Sequence, residues 1–283
     1  VTEGKTRNIL ILAGPGSGKT KSLVHRAACL VRVQRVPWGG ILIVAFNRST
    51  VLEIRRRLRR LLGNDSGRII ICTYHGLALR IASRSMAIPR QLGLSNAKED
   101  LMNSIVKDAV TALETVKGEA RDAMTEGLIS RVRYILVDEY QDINEDQFKM
   151  VALLARKDEP EAEREVKLLA VGDDDQNIYA WNGSDVRFIR QFETDYQPVI
   201  HRLLTNFRSS EPITKFCQRF IQRLPDRLKD KDHLESAMKG MLLPENTREP
   251  VLVSVGNPPG ARHSTEAHLD AAILAEVDRW RSE

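Results

Sequence analysis

The sequence predicts an α/β fold, a parallel sheet with helices on both faces. Three observations predict it. Short apolar runs at residues 9–12, 41–46, 69–73, 134–137 and 166–171 alternate with stretches of helical period. Each run is apolar nearly throughout, as a strand covered on both faces must be. Each run also leads into a polar or glycine-rich cluster, and such sheets bind ligands at the carboxyl ends of their strands.

The first run leads into Ala13-Gly14-Pro15-Gly16-Ser17-Gly18-Lys19-Thr20. Glycines at this spacing let the backbone turn so that several N–H groups face one anion. The helix that follows points its positive end at the same place. Lys19 then reaches the outer phosphates of a nucleotide, and the Thr20 hydroxyl binds Mg²⁺. Ala13 stands where the usual pattern has a first glycine, and a small residue there suits the turn.

From Thr20, apolar residues Leu23, Val24, Ala27, Leu30 and Val31 recur at helical spacing, and Pro37 with Gly39-Gly40 ends the segment. After the second run, Asn47 caps a helix carrying Arg55, Arg56, Arg57, Arg59 and Arg60. That many arginines on one helix read as a solvated face, of which one or two reach a ligand. Thr73-Tyr74-His75 follows the third run. Residues 85–131 are polar, lack strand signal and predict a small helical insertion, its longest helix near 96–116. Asp138-Glu139 follows the fourth run, and Gly172-Asp173-Asp174-Asp175-Gln176 the fifth. A short strand at 201–205, a helix to about 223, a strand at 251–255 and an amphipathic helix at 266–281 with Trp280 in its core face complete the chain. Residues 226–246 have no clear period and are expected to be partly mobile.

The chain has 283 residues, 42% hydrophobic and 29% charged, enough for one large or two ordinary globular domains. No apolar run approaches the roughly 20 residues of a membrane span. With no secretory signal, the expected location is cytoplasmic, with no membrane partner. Cys29, Cys72 and Cys217 share no metal spacing and read as reduced thiols. A net charge of +5 permits a nucleic-acid partner without requiring one. The first residue is Val1 rather than Met, which reads as a piece of a longer protein.

Acids at a strand end beside a phosphate loop are what nucleotide hydrolysis needs. Asp138 can hold Mg²⁺ opposite Thr20, and Glu139 can accept a proton from the attacking water.

With these in place the chain resembles the superfamily 1A helicases of the UvrD/Rep/PcrA family. Asp138-Glu-Tyr-Gln-Asp142 resembles their motif II, and residues 172–181, through Gln176, Tyr179 and Trp181, their motif III. Ala45-Phe46-Asn47 resembles motif Ia, Thr73-Tyr-His75 motif Ib, and Asn206-Phe-Arg208-Ser-Ser210 motif IV. The motifs run in family order from about Ile9 to Ser210. The resemblance implies a RecA-like phosphate-loop NTPase that uses Mg-ATP to move 3′ to 5′ along single-stranded DNA and to open single/double-strand junctions. It implies that Gln176 senses the γ-phosphate and that Arg208 serves as an arginine finger. Phe46, Asn47, Thr73, His75, Tyr179 and Trp181 then line the DNA groove, with Trp181 offering a stacking face.

The implied division is a first motor domain over 1–84 and 132–198, the insertion over 85–131, and the start of a second motor domain over 199–283. The partner it implies is the rest of that second domain, or a larger parent chain. Where the family usually has Ser and Arg, this chain has Asn177 and Asn182. The upstream glutamine motif that reads adenine has no counterpart before Ile9, and motifs V and VI find no match before Glu283. Residues 1–283 alone are therefore expected to bind nucleotide, hydrolyse it slowly and unwind nothing. A nucleotide-gated DNA-binding module without processive unwinding is a second reading. A phosphate-loop ATPase unrelated to DNA is a third, opposed by residues 138–142, Tyr179 and Trp181.

Overall fold

A computed structural model of the protein describes residues 8–83, 98–125, 131–157, 159, 165–223, 227–229 and 234–237. The first half contains β1 (Ile9–Ala13), α1 (Lys19–Arg32), β2 (Ile41–Ala45), α2 (Arg48–Leu62), β3 (Ile70–Thr73) and α3 (Tyr74–Ala82). Next come α4 (Lys98–Glu114), α5 (Gly118–Thr125), β4 (Tyr134–Val137), α6 (Glu145–Leu154) and β5 (Lys167–Gly172). Then follow α7 (Arg187–Tyr196), β6 (Val199–Leu203), β7 (Thr205–Asn206), α8 (Glu211–Ile221) and β8 (Glu235–Ser236).

Six strands form one sheet in the order β3-β2-β4-β5-β1-β6, and every pairing is parallel. The expected α/β fold with helices on both faces is what forms. Alternate residues of each strand feed two separate cores. Leu10, Leu12, Leu42, Val44, Ile135 and Val137 pack with α3, α4, α6 and α7. Ile9, Ile11, Ala13, Ile41, Ile43 and Ala45 pack with α1 and α2 on the opposite face. This two-sided burial is why the strands read as unbroken apolar runs.

Helix starts follow local capping chemistry. The Asn47 side chain accepts from the Thr50 amide at 2.8 Å and opens α2. Asn144 and Gln147 form a reciprocal capping box at the start of α6. Each such cap stabilises its helix by about 1 kcal/mol.

Two expectations are corrected. The strand placed at 201–205, in a second domain starting at 199, is β6 at 199–203, and it belongs to the first sheet. It pairs with β1 in the register Ile9↔Val199 to Ala13↔Leu203. The reason is geometric. β1 has only β5 on one side, so its other edge is open to pairing, and Ile200 and Leu203 pack against opposite cores. The helix expected within the insertion is α4, but it does not stand apart. Its Val106, Ala109, Val110 and Leu113 are buried in the core beneath the sheet. The expected strand at 251–255 and the helix at 266–281 lie outside the described residues.

Candidate functional site

The order of the strands brings the ends of β4, β5 and β1 side by side. The loop after β1 is built on left-handed glycines, Gly16 at φ 67° and Gly18 at φ 94°. Gly16 is also constrained by space. A β-carbon there would lie 2.7 Å from Arg208 Cβ and 2.9 Å from Asn206 Oδ1. Within the loop the Ser17 hydroxyl donates to the Gly14 carbonyl at 2.6 Å, which closes the turn. α1 begins at Lys19, so its positive end faces the loop's mouth.

Lys19 extends from there between two acids. Its ammonium lies 3.3 Å from Glu139 Oε2 and 3.7 Å from Asp173 Oδ2. It is 9% exposed and makes no hydrogen bond. A buried ammonium without hydrogen bonds, at a helix start, suits the oxygens of a phosphate.

The Thr20 hydroxyl donates to Asp138 Oδ2 at 2.9 Å. Asp138 is wholly buried, and burial together with the neighbouring Glu139 charge pushes its carboxyl up to about 6. The Thr20 bond and Lys19 oppose that rise without cancelling it. Burial thus makes the ionised carboxylate costly here unless a cation joins it. Two hard oxygen donors in such a field fit Mg²⁺.

Glu139 stands on strained backbone, φ 52° and ψ 51°. A non-glycine residue held there costs on the order of 1–3 kcal/mol, and such strain gathers where a side chain must be aimed. Gln141 steadies it, donating through Nε2 to Glu139 Oε2 at 2.9 Å and to Asp142 Oδ2 at 3.0 Å. The Gln141 carbonyl oxygen Oε1 accepts from the Asp173 amide at 2.9 Å, tying the end of β4 to that of β5. Burial and the Glu139 charge push the Asp142 carboxyl up to about 7. Gln176 donates through Nε2 to Asp173 Oδ2. Asn177 donates to the Gln141 backbone carbonyl at 2.6 Å and to Ser184 Oγ at 3.2 Å.

Arg208 is exposed at the rim of the glycine loop, its amide bonded to Asn206 Oδ1 at 2.7 Å. Asn206 clamps this segment to the loop by donating to the Pro15 carbonyl at 2.9 Å, and the Phe207 amide donates to the Gly16 carbonyl at 3.0 Å. Phe207 is 65% exposed and lines a groove of about 450 Å³ with Gly16, Gly18, Lys21, Ser22 and His25.

The remaining predicted residues gather further along the same sheet edge. Phe46 and Tyr179 pack with ring centroids 5.0 Å apart, and Tyr179 lies 6.1 Å from Trp181. Trp181 is 71% exposed, so it is not a core aromatic. Asn47 spends its side-chain oxygen on the α2 cap, and Thr73 Oγ1 accepts from the Gly76 amide at 3.1 Å to start α3. His75 is half-buried, and burial lowers its pKa, which keeps the ring neutral at pH 7. Thr73 and His75 sit at the end of the outer strand β3, with β2 between them and β4.

Gln141, Asn206 and Phe207 were not singled out from the sequence as site residues, although all three lie inside recognised motifs. The loop carbonyl that Asn206 clamps belongs to Pro15, 191 positions away in the chain, so no local pattern announces that contact. An aromatic directly before Arg208 is the one signal that pointed to Phe207.

The sheet and its glycine loop define a phosphate-loop NTPase. Residues 1–182 match the model of the AAA_19 family, described as an AAA domain, and the chain belongs to that family. Among curated proteins, the ATP-dependent DNA helicase PcrA of Leuconostoc citreum is 30% identical over 301 residues, covering 81% of this chain and 39% of that protein. The PcrA of Staphylococcus aureus is 28% identical over 296 residues, covering 80% and 39%. The chain thus spans well under half the length of these relatives. The resemblance to the UvrD/Rep/PcrA helicases is borne out by them. Among solved structures, unliganded Pif1 from Bacteroides sp overlays 80% of this chain and 44% of its own at 14% identity, with a TM-score of 0.38. Pif1 helicase from Candida albicans overlays 76% and 39% at 18% identity, with a TM-score of 0.35.

Proposed function

We propose that this chain is the ATP-binding motor portion of a superfamily 1A DNA helicase. The observation that carries the reading is the Lys19 ammonium, buried without a hydrogen bond beside the Thr20–Asp138 pair. The amides around Gly16 and Gly18 cradle the phosphates, with Gly14, Pro15 and Ser17 shaping the loop, and Lys19 takes the β/γ oxygens. Thr20 and Asp138 hold Mg²⁺, which when bound neutralises charge on the phosphates. Glu139, aimed by its strained backbone and by Gln141, takes the proton of the attacking water. Gln176 leaves Asp173 for the γ-phosphate. Arg208, at the loop's rim, meets charge on the transferred group. Phe207 gives the nucleotide base a flat apolar wall.

Single-stranded DNA crosses the Phe46–Tyr179–Trp181 surface, with Asn47, Thr73 and His75 along the same edge. Stacking on aromatic rings tolerates any sequence, which a translocating motor requires. In the whole protein these parts drive 3′ to 5′ movement and the opening of single/double-strand junctions.

The test has two arms. Calorimetry with Mg-ATPγS should show binding by the 283-residue chain. Tryptophan fluorescence should change on adding oligo(dT), and a Trp181→Phe variant should lose that change. Absence of nucleotide binding rejects the motor reading. Nucleotide binding with no response to oligo(dT) leaves an ATPase without the DNA function.

A further inference from the structure

Asp173, Asp174 and Asp175 each offer a carboxylate oxygen, all within 4.8 Å of one another. The spacing resembles a cation site, yet a cation of the protein already stands in it. Lys229 Nζ is bonded to Asp173 Oδ1 and lies 3.1 Å from Asp175 Oδ2 and 3.4 Å from Asp174 Oδ1. The Lys229 side chain is 4% exposed. Arg227 pairs with Asp175 through two bonds of 2.6 and 2.8 Å, and the Leu228 amide donates to Asp174 Oδ2 at 2.6 Å. Three consecutive acids are therefore met by three consecutive residues from far down the chain. Residues 227–229 fall in the stretch whose sequence shows no clear period.

Asp173 is the point where this clasp touches the nucleotide site. Its Oδ1 serves Lys229 and the Asp175 amide, the latter at 3.2 Å. Its Oδ2 serves Gln176 and faces Lys19 at 3.7 Å. The carboxylate is wholly buried, so it must find its counter-charge inside the protein. Whatever Lys229 does not neutralise is drawn from Lys19 and Gln176, the two side chains that must turn to a γ-phosphate.

We infer that Lys229 is a positioning residue that takes up the charge of Asp173 and so releases Lys19 and Gln176 to the γ-phosphate. The inference rests on the nucleotide reading above. It makes a segment beyond β6 and α8 part of how the site tells a triphosphate from a diphosphate. Removing Lys229 leaves a buried carboxylate competing with the γ-phosphate for the same two groups. The β-phosphate, held mostly by the loop amides, feels that competition less.

The experiment compares calorimetric affinities for Mg-ATPγS and Mg-ADP in the 283-residue chain and three variants. Lys229→Met should lower the preference for ATPγS about tenfold or more, the scale of losing a bond between charged buried groups. Its ADP affinity should stay within about twofold of the parent. Lys229→Arg should keep the preference. Lys229→Met combined with Asp173→Asn should recover it, because an amide no longer competes for a cation. An equal loss of both nucleotides in Lys229→Met marks a structural role and overturns the inference, as does an unchanged preference. If Lys229→Met does not fold, the neutral double variant decides. Parental preference there upholds the inference and lost preference overturns it. A parent chain that binds neither nucleotide refutes the nucleotide reading, and the role of Lys229 falls with it.

Discussion

Replacing Asp138 by asparagine should stabilise the protein while weakening its hold on Mg-ATP. The Asp138 carboxyl is raised from its ordinary 3.8 to about 6, first by burial and then by Glu139. Holding it ionised in the folded state costs about 3 kcal/mol. The amide side chain of Asp138→Asn would keep the shape and could still accept the Thr20 hydroxyl, now 2.9 Å from Oδ2. It would carry no charge to desolvate or to repel Glu139. The folded pKa lies above the unfolded one, so the folded state binds the proton more tightly. The penalty is fully present above about pH 6 and fades as the pH falls towards 4. In chelator and without nucleotide, Asp138→Asn should therefore gain about 1–3 kcal/mol at pH 7.5, read by urea denaturation. The gain should shrink to nearly nothing at pH 4.5, where Asp138 carries its own proton. In Mg-ATPγS the order should reverse, because the bound cation needs the carboxylate. A variant no more stable than the parent at pH 7.5, or a gain that does not change with pH, would refute this account of the site.

Three further outcomes follow from the same geometry. Lys19→Ala should leave the circular dichroism spectrum intact and cost most of the Mg-ATPγS affinity by calorimetry, and unchanged affinity would remove Lys19 from the phosphate site. In the intact parent enzyme, Glu139→Gln should keep nucleotide affinity near normal but slow ATP turnover about 10²–10⁴-fold, since an amide cannot accept the proton; turnover at the parental rate would put the base elsewhere. Trp181→Ala should weaken oligo(dT) binding by about 1–3 kcal/mol in a fluorescence anisotropy titration. Because Trp181 is 71% exposed, the melting temperature should barely move, and a variant that unfolds instead would make this ring a structural one.

What the sequence made legible was whatever is local. The strands at 9–12, 41–46 and 134–137 announce themselves because burial on both faces leaves no polar position in them. Asn47 announces a helix start because a cap acts over three residues. The glycine loop is legible because φ 67° and φ 94° need glycine or nearly so. The pairing of β6 with β1 was not legible, since an open sheet edge is a property of the assembled sheet and not of residues 199–203. Nor was the burial of α4, whose apolar stripe reads the same whether it faces its own small unit or the main core. Lys229 was least legible of all. A lysine in a polar stretch looks solvated, and its place among Asp173, Asp174 and Asp175 depends on contacts made 56 positions apart.

The geometry also explains why one short loop can serve both proposed ligands. From Asp173 to Ser184 the chain makes two tight turns, Asp174–Gln176 and Ala180–Asn182, and little else. Gln176 hangs from the nucleotide end of this loop and Tyr179 with Trp181 from the other. Asn177, between them, is fastened to the Gln141 backbone and to Ser184. Tyr179 packs on Phe46 with ring centroids 5.0 Å apart, so the nucleotide end and the aromatic end of the loop are separated by one fastened residue. Asp173 fixes the place of Gln176, because it holds Gln176 on one oxygen and Lys229 on the other. The clasp from residues 227–229 thus ends on the same aspartate that holds Gln176, in the loop that carries Tyr179 and Trp181.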